Sequence, residues 1–184
     1  MITRKQAWEK LNELITNQNL IKHCLAVEAA MEAYAEYFDI PKEERETWRI
    51  AGLLHDADWE KYPDEHPRII AQWLSQQHAP DAIVNAIQAH GFEFGIEPKT
   101  RMAQTLRAVD ELTGLIVAVA LVKGKKLENV TTNSVKNKWR DKTFARGVKR
   151  EDIERGAEEL AIPLDIHINI VLTALQKHAH VLGL

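Results

Sequence analysis

Cysteine occurs once among the 184 residues, as Cys24, so no disulfide can close within the chain and its stability must come from an apolar core. Long apolar runs are missing as well. The longest, Leu112 to Val122, is interrupted by Thr113 and Gly114 and falls short of the roughly 20 residues a membrane-spanning helix needs. The first twenty residues lack the apolar stretch of a signal peptide, so a cytoplasmic protein with no membrane partner is expected. Eight Gly and six Pro are too few for a low-complexity segment, and aromatics make up only 7% of the chain. Strict polar and apolar alternation bounded by turn residues is absent too, which argues against strands.

What is present is a globular composition, 45% hydrophobic and 28% charged, patterned with helical spacing nearly throughout. That spacing predicts one all-α domain over residues 1–184, a bundle of about eight to nine helices without linker or repeat. Helices are expected at about 3–16, 19–38, 42–55, 67–78, 81–90, 99–122, 131–139, 150–160 and 164–181. Pro41, Pro67 and Pro98 mark helix starts, while Gly91, Gly95 and Gly124 mark loops or ends. The net charge is −3, but it is unevenly spread: Lys123 to Arg150 hold ten Lys or Arg against Glu128 and Asp141, a basic sector within an acidic chain.

Four side chains are out of keeping with their surroundings. His23 shares a helical face with Leu20, Val27, Ala30 and Met31, where an imidazole is either a core histidine satisfied by a carbonyl or a ligand. His55 and Asp56 end the apolar run Ile50-Ala51-Gly52-Leu53-Leu54 side by side, which suits a helix terminus and a turn, or a metal. Asp110 lies amid Leu106, Val109, Leu112 and Ile116, so its carboxylate needs a cation: Arg107, Arg101 or a metal ion. One divalent ion would neutralise both carboxylates at once, and the N and O donor mixture accepts Fe, Mn, Ni, Mg or Zn.

The order His23, His55-Asp56, Asp110 in an all-α chain resembles the HD superfamily of metal-dependent phosphohydrolases. His66, before Pro67, and His90, before Gly91, fall between the dipeptide and Asp110. The chain is thereby similar to the six-ligand variant, in which two metals split dinucleoside polyphosphates or cyclic dinucleotides. The resemblance covers about residues 20–115. It implies that His23, His55, Asp56 and Asp110 bind one metal, that His66 and His90 bind a second, and that Asp56 bridges them. Residues 110–148 further resemble small bacterial and archaeal HD proteins known only as predicted hydrolases. A second His beside His90 and a Gly-Tyr-Pro signature are absent, which disfavours the cyclic-dinucleotide branch.

The expected activity is cleavage of a phosphate ester or anhydride, in a nucleotide or other small phosphorylated metabolite, by metal-activated hydroxide. Glu60 and Lys61, in the loop after Asp56, are candidates to aid the leaving group, the alternative being a solvated turn. Lys138, Lys142 and Arg146 in the basic C-terminal extension, residues 123–184, are candidates for holding substrate phosphate, the alternative being a solvated helix face. A non-catalytic, metal-containing nucleotide-binding or signalling module is the competing function. A nucleic-acid partner is not expected, since Trp139 and Phe144 are the only aromatics in the basic sector.

Overall fold

Short polar side chains decide where several helices begin. In the computed structural model, which describes residues 2–141 and 143–184, Thr3 and Gln6 form a reciprocal capping box ahead of α1 (Arg4–Leu14). Asn17 accepts from the Asn19 amide ahead of α2 (Gln18–Tyr37), Thr100 from the Ala103 amide ahead of α6 (Arg101–Val122), and Thr131 boxes with Ser134 at α7 (Thr132–Trp139). Prolines precede α3 (Lys42–Leu54), α4 (Arg68–Gln76), α5 (Asp81–Gln88) and α9 (Leu164–Lys177). Acidic first turns suit the dipoles of α3, α5, α9 and α8 (Arg150–Glu159). Three short 3-10 turns, Pro63–Glu65, Phe92–Phe94 and Leu127–Asn129, complete the connections.

The protein is all-α: no strand occurs among the described residues. Several expected boundaries shift by one or two residues, as where the helices expected at 3–16, 67–78 and 81–90 run over 4–14, 68–76 and 81–88, and two of the differences bear on the site or the C-terminus. The helix expected to reach His55 stops at Leu54, and the single helix expected over 164–181 is two, α9 and α10 (Ala179–Leu182). The break falls at His178, whose Nδ1–H donates to the Ala174 carbonyl at 2.9 Å and so takes an acceptor that the helix backbone would otherwise use.

Helices α2, α3 and α6 form the centre of the bundle. Val27, Ala30 and Met31 of α2, Leu53 and Leu54 of α3, and Leu106, Val109 and Ile116 of α6 lie in one buried cluster. Ile153 of α8 and Ile168, Val171 and Leu175 of α9 belong to the same cluster, so the C-terminal helices are part of the core rather than an appendage to it. Two glycines set the closest approaches. A Cβ at Gly156 of α8 would stand 2.6 Å from the Ala108 Cα on α6, and one at Gly52 of α3 would stand 2.8 Å from the Val27 carbonyl oxygen on α2. None of the helices described is long and apolar enough to cross a membrane.

His167 of α9 joins two of the central helices. Fully buried, it accepts a very short hydrogen bond from the Tyr34 hydroxyl of α2 through Nδ1, and its Nε2–H donates to the Ala108 carbonyl of α6 at 3.0 Å. Burial pushes its pKa down to about 4. Because the folded value lies below the ordinary 6.5, the unfolded chain binds the proton first, and stability falls as the pH drops from 6.5 towards 4. At pH 5 this residue is expected to cost about 2 kcal/mol relative to neutral pH. Urea denaturation of the wild type and His167→Gln at both pH values checks it: the wild type should lose that much more than the variant, and equal losses would disprove it.

Candidate metal centre

Six side chains from five segments meet at one end of the α2, α3 and α6 core. His23 comes from α2, His55 from the C-terminal cap of α3, Asp56 from the turn that follows, His66 from the loop before α4, His90 from beyond α5 and Asp110 from the middle of α6. Their donor atoms fall into two groups, His23, His55 and Asp110 in one and Asp56, His66 and His90 in the other, each with all its donor atoms within 4.8 Å of one another. In the first, His23 Nε2 lies 3.1 Å from His55 Nε2 and 3.0 Å from Asp110 Oδ1. In the second, His66 Nε2 and His90 Nε2 are 3.3 Å apart. Asp56 faces both: Oδ2 is 3.6 Å from His23 Nε2 and 3.5 Å from His55 Nε2, while Oδ1 is 3.4 Å from His66 Nε2 and 3.5 Å from His90 Nε2.

The far sides of three rings explain which nitrogen is free. His55 Nδ1–H donates to the Gly52 carbonyl at 2.8 Å, His90 Nδ1–H to the Ile87 carbonyl at 2.6 Å, and His66 Nδ1–H to Asp58 Oδ1 at 2.7 Å. Each of these bonds leaves the Nε2 lone pair pointing inwards, the arrangement by which outer partners orient histidine ligands. Lone pairs brought this close repel unless a cation or a proton lies between them. The charges agree. Burial alone would lower the His55 pKa, but the neighbouring Asp56 and Asp110 charges prevail and push it up to about 9. Burial opposes ionisation of Asp56 and Asp110 as well, yet the positive charge demanded of His55 holds both below the ordinary carboxylate range. The cluster is thus built for positive charge at its centre, and the donor set fits one or two divalent cations.

Asp110 pairs with neither arginine suggested by its sequence. Arg107 donates to the Ala89 and Ile96 carbonyls, and Arg101 donates to the Leu160 carbonyl, which leaves the Asp110 carboxylate to the histidines. Asp58 is the residue that sequence spacing missed. Completely buried, it accepts from His66 Nδ1 and, through Oδ2, from the Ile70 amide at 2.9 Å, so it ties the His66 ring to the start of α4. A carboxylate two residues after Asp56 in a loop rich in acids gave no sign of this. Asp58→Asn is expected to weaken metal binding roughly 10- to 100-fold, measured by competition with a chelator; unchanged affinity would mean that Asp58 has no part in orienting His66.

The other expected site residues do not reach the centre. Glu60 turns away: its carboxylate accepts from the Thr16 and Asn17 amides at 3.0 and 2.9 Å and from the Thr16 hydroxyl, holding the start of α2 instead of a leaving group. Lys61 is exposed, its Nζ 5.8 Å from the Tyr62 ring centroid. Lys138 sits over the Phe144 ring at 5.0 Å, and Arg146 lines a separate groove with Trp139 and Arg150. Neither lines the pocket over the metal ligands; Arg140 and Arg146 share their groove instead with Glu151 and Glu154 of α8. Lys142 lies outside the described residues.

That pocket has a volume of about 480 Å³, a size suited to a small molecule. Five of the six ligand candidates, all but His55, line it, with Trp59, Phe92 and Phe94 as its apolar sides. Phe94 meets the rings of His66 and His90 edge-on at 5.6 and 5.2 Å, and Trp59 meets His66 at 5.1 Å. Glu93, Glu111 and Asp152 form a polar side. Burial and the neighbouring Asp110 push Glu111 up to about 7, and burial also raises Asp152.

A family model described as HD domain matches residues 20–115, about half of the chain and all six of these side chains. The chain belongs to the HD family. HD domains are in general metal-dependent hydrolases, and the convergence of the six histidine and aspartate side chains is consistent with divalent metal binding in this HD protein. Neither the curated proteins nor the solved structures compared with the chain give a match.

Proposed function

We propose that this HD protein is a phosphohydrolase that uses two divalent metal ions to cleave a phosphate ester or anhydride of a small metabolite, such as a nucleotide. The observation that carries the reading is Asp56, one oxygen of which faces each donor group. His23, His55 and Asp110 would hold one ion, His66 and His90 the other, and Asp56 both. Bound there, such ions would lower the pKa of a water molecule towards about 7 and offset charge on the phosphoryl oxygens.

The chain's own residues do the rest by positioning. The carbonyls of Gly52 and Ile87 and the Asp58 carboxylate engage Nδ1–H of three imidazoles and aim their Nε2 atoms inwards. Packing of α2 against α3 and of α6 against both holds the donor atoms in place before a ligand arrives, so little ordering remains to oppose the reaction. Phe94 and Trp59 cover one flank of the second donor group and keep bulk water from it. The test joins two measurements on purified protein: metal analysis, and phosphate release from p-nitrophenyl phosphate, nucleotides and sugar phosphates after loading with Mn, Fe, Ni, Mg or Zn. Metal-dependent release supports the reading. A protein that binds two metal equivalents yet releases phosphate from none of these would instead be a non-catalytic binding module.

A further inference from the structure

The polar lining of the pocket says something about the substrate. Five carboxylates, Asp56, Glu93, Asp110, Glu111 and Asp152, face one lining cation, Arg107. That cation is committed elsewhere: its Nε and Nη2 donate to backbone carbonyls at 2.7 and 2.6 Å, and its guanidinium lies 4.5 Å from the Phe92 ring centroid. Lys149, at the rim, is committed too, with Nζ 2.9 Å from Glu93 Oε1. The Asp152 carboxylate, 21% exposed, has no closer cation than Lys149 Nζ at 4.0 Å and accepts no hydrogen bond among the described residues. Glu111 accepts one, from the Lys149 amide at 3.2 Å.

These carboxylates matter because the metal-ligand cluster independently marks the same pocket as a place where a ligand sits. Two divalent cations would offset most or all of the negative charge of the lining before any substrate enters. The phosphoryl group of a monoester then faces the cations, but further phosphates would meet carboxylates and, among the described residues lining the pocket, no cation besides the committed Arg107. A group that donates hydrogen bonds and carries positive charge would meet two under-used acceptors, and charged hydrogen bonds are about twice as strong as neutral ones.

On the phosphohydrolase reading, we propose that the substrate is a small phosphomonoester whose organic part carries an ammonium group, received by Asp152 and Glu111 in the wall of the same pocket. The test uses metal-loaded protein and two probes that cannot be hydrolysed, 3-aminopropylphosphonate and propylphosphonate, with Kd measured by calorimetry. The amine is expected to bind at least about tenfold more tightly, and Asp152→Asn to reduce that preference to less than about threefold. Equal affinities in the wild type would overturn the proposal, as would a preference that persists undiminished in the variant. A higher kcat/KM for ATP or ADP than for every monoester tested would do the same. If the variant does not fold, the wild-type comparison decides alone. Because the two Kd values involve no turnover, failure of the hydrolase reading shows separately, as absence of phosphate release from any ester.

Discussion

Replacing Asp56 with alanine is expected to lower kcat/KM by on the order of 10³-fold, equivalent to roughly 4 kcal/mol of transition-state stabilisation. It should also reduce the protein from two bound metal ions to one or none. The size of the effect follows from geometry. Asp56 is the one side chain whose two oxygens face different donor groups, at 3.4 to 3.6 Å from four histidine nitrogens. Alanine removes a shared anionic ligand and leaves His66 and His90 with no carboxylate in their own group. The measurements are metal content and steady-state kinetics on the same preparation. A variant that retains two ions and wild-type turnover would overturn the bridging role and, with it, the phosphohydrolase reading in its two-metal form. Loss of activity with both ions retained would limit the role of Asp56 to the reaction itself.

Gly52→Ala is expected to destabilise the protein by about 3 kcal/mol or more and to weaken metal binding as well. Ordinarily the sign would be the reverse, since alanine in a helix is favoured over glycine by roughly 0.5–1 kcal/mol. Here the added methyl would stand 2.8 Å from the Val27 carbonyl oxygen and 2.9 Å from the Glu28 Cα and backbone nitrogen. Those are backbone atoms of α2, which cannot swing aside as a side chain can, so α3 must move away from α2. His23 is carried by α2, and His55 by the cap of α3, so the same movement widens their 3.1 Å contact. It also shifts the Gly52 carbonyl, which holds the His55 tautomer. Urea denaturation and chelator competition measure the two effects, and a stability equal to or above that of the wild type would disprove the close-approach argument. If the variant does not fold at room temperature, the same two measurements at lowered temperature read the same contact.

The sequence by itself determined the all-α class and most of the helix limits, and it singled out His23, His55, Asp56 and Asp110 as candidate ligands, His66 and His90 being added by the family resemblance. Apolar residues recurring at three- and four-residue spacing specify a helix locally, and an imidazole or carboxylate placed on such a face is conspicuous because burying it is costly. His23 and Asp110 stood out for that reason, and both lie where the helical spacing puts them. Glu60, Lys61, Lys138 and Arg146 were misjudged because a polar residue in a loop or on a solvated face carries no such cost, so its sequence does not say which way it points. Only the tertiary structure decided that Glu60 holds the start of α2, that Asp58 orients His66 and that the acids Glu93, Glu111 and Asp152, rather than the described residues of the basic sector, line the pocket. The reason is distance along the chain. Asp110 and Asp152 share a pocket although 42 positions apart in sequence, because Gly156 lets α8 rest against the backbone of α6, and helical periodicity describes one element at a time.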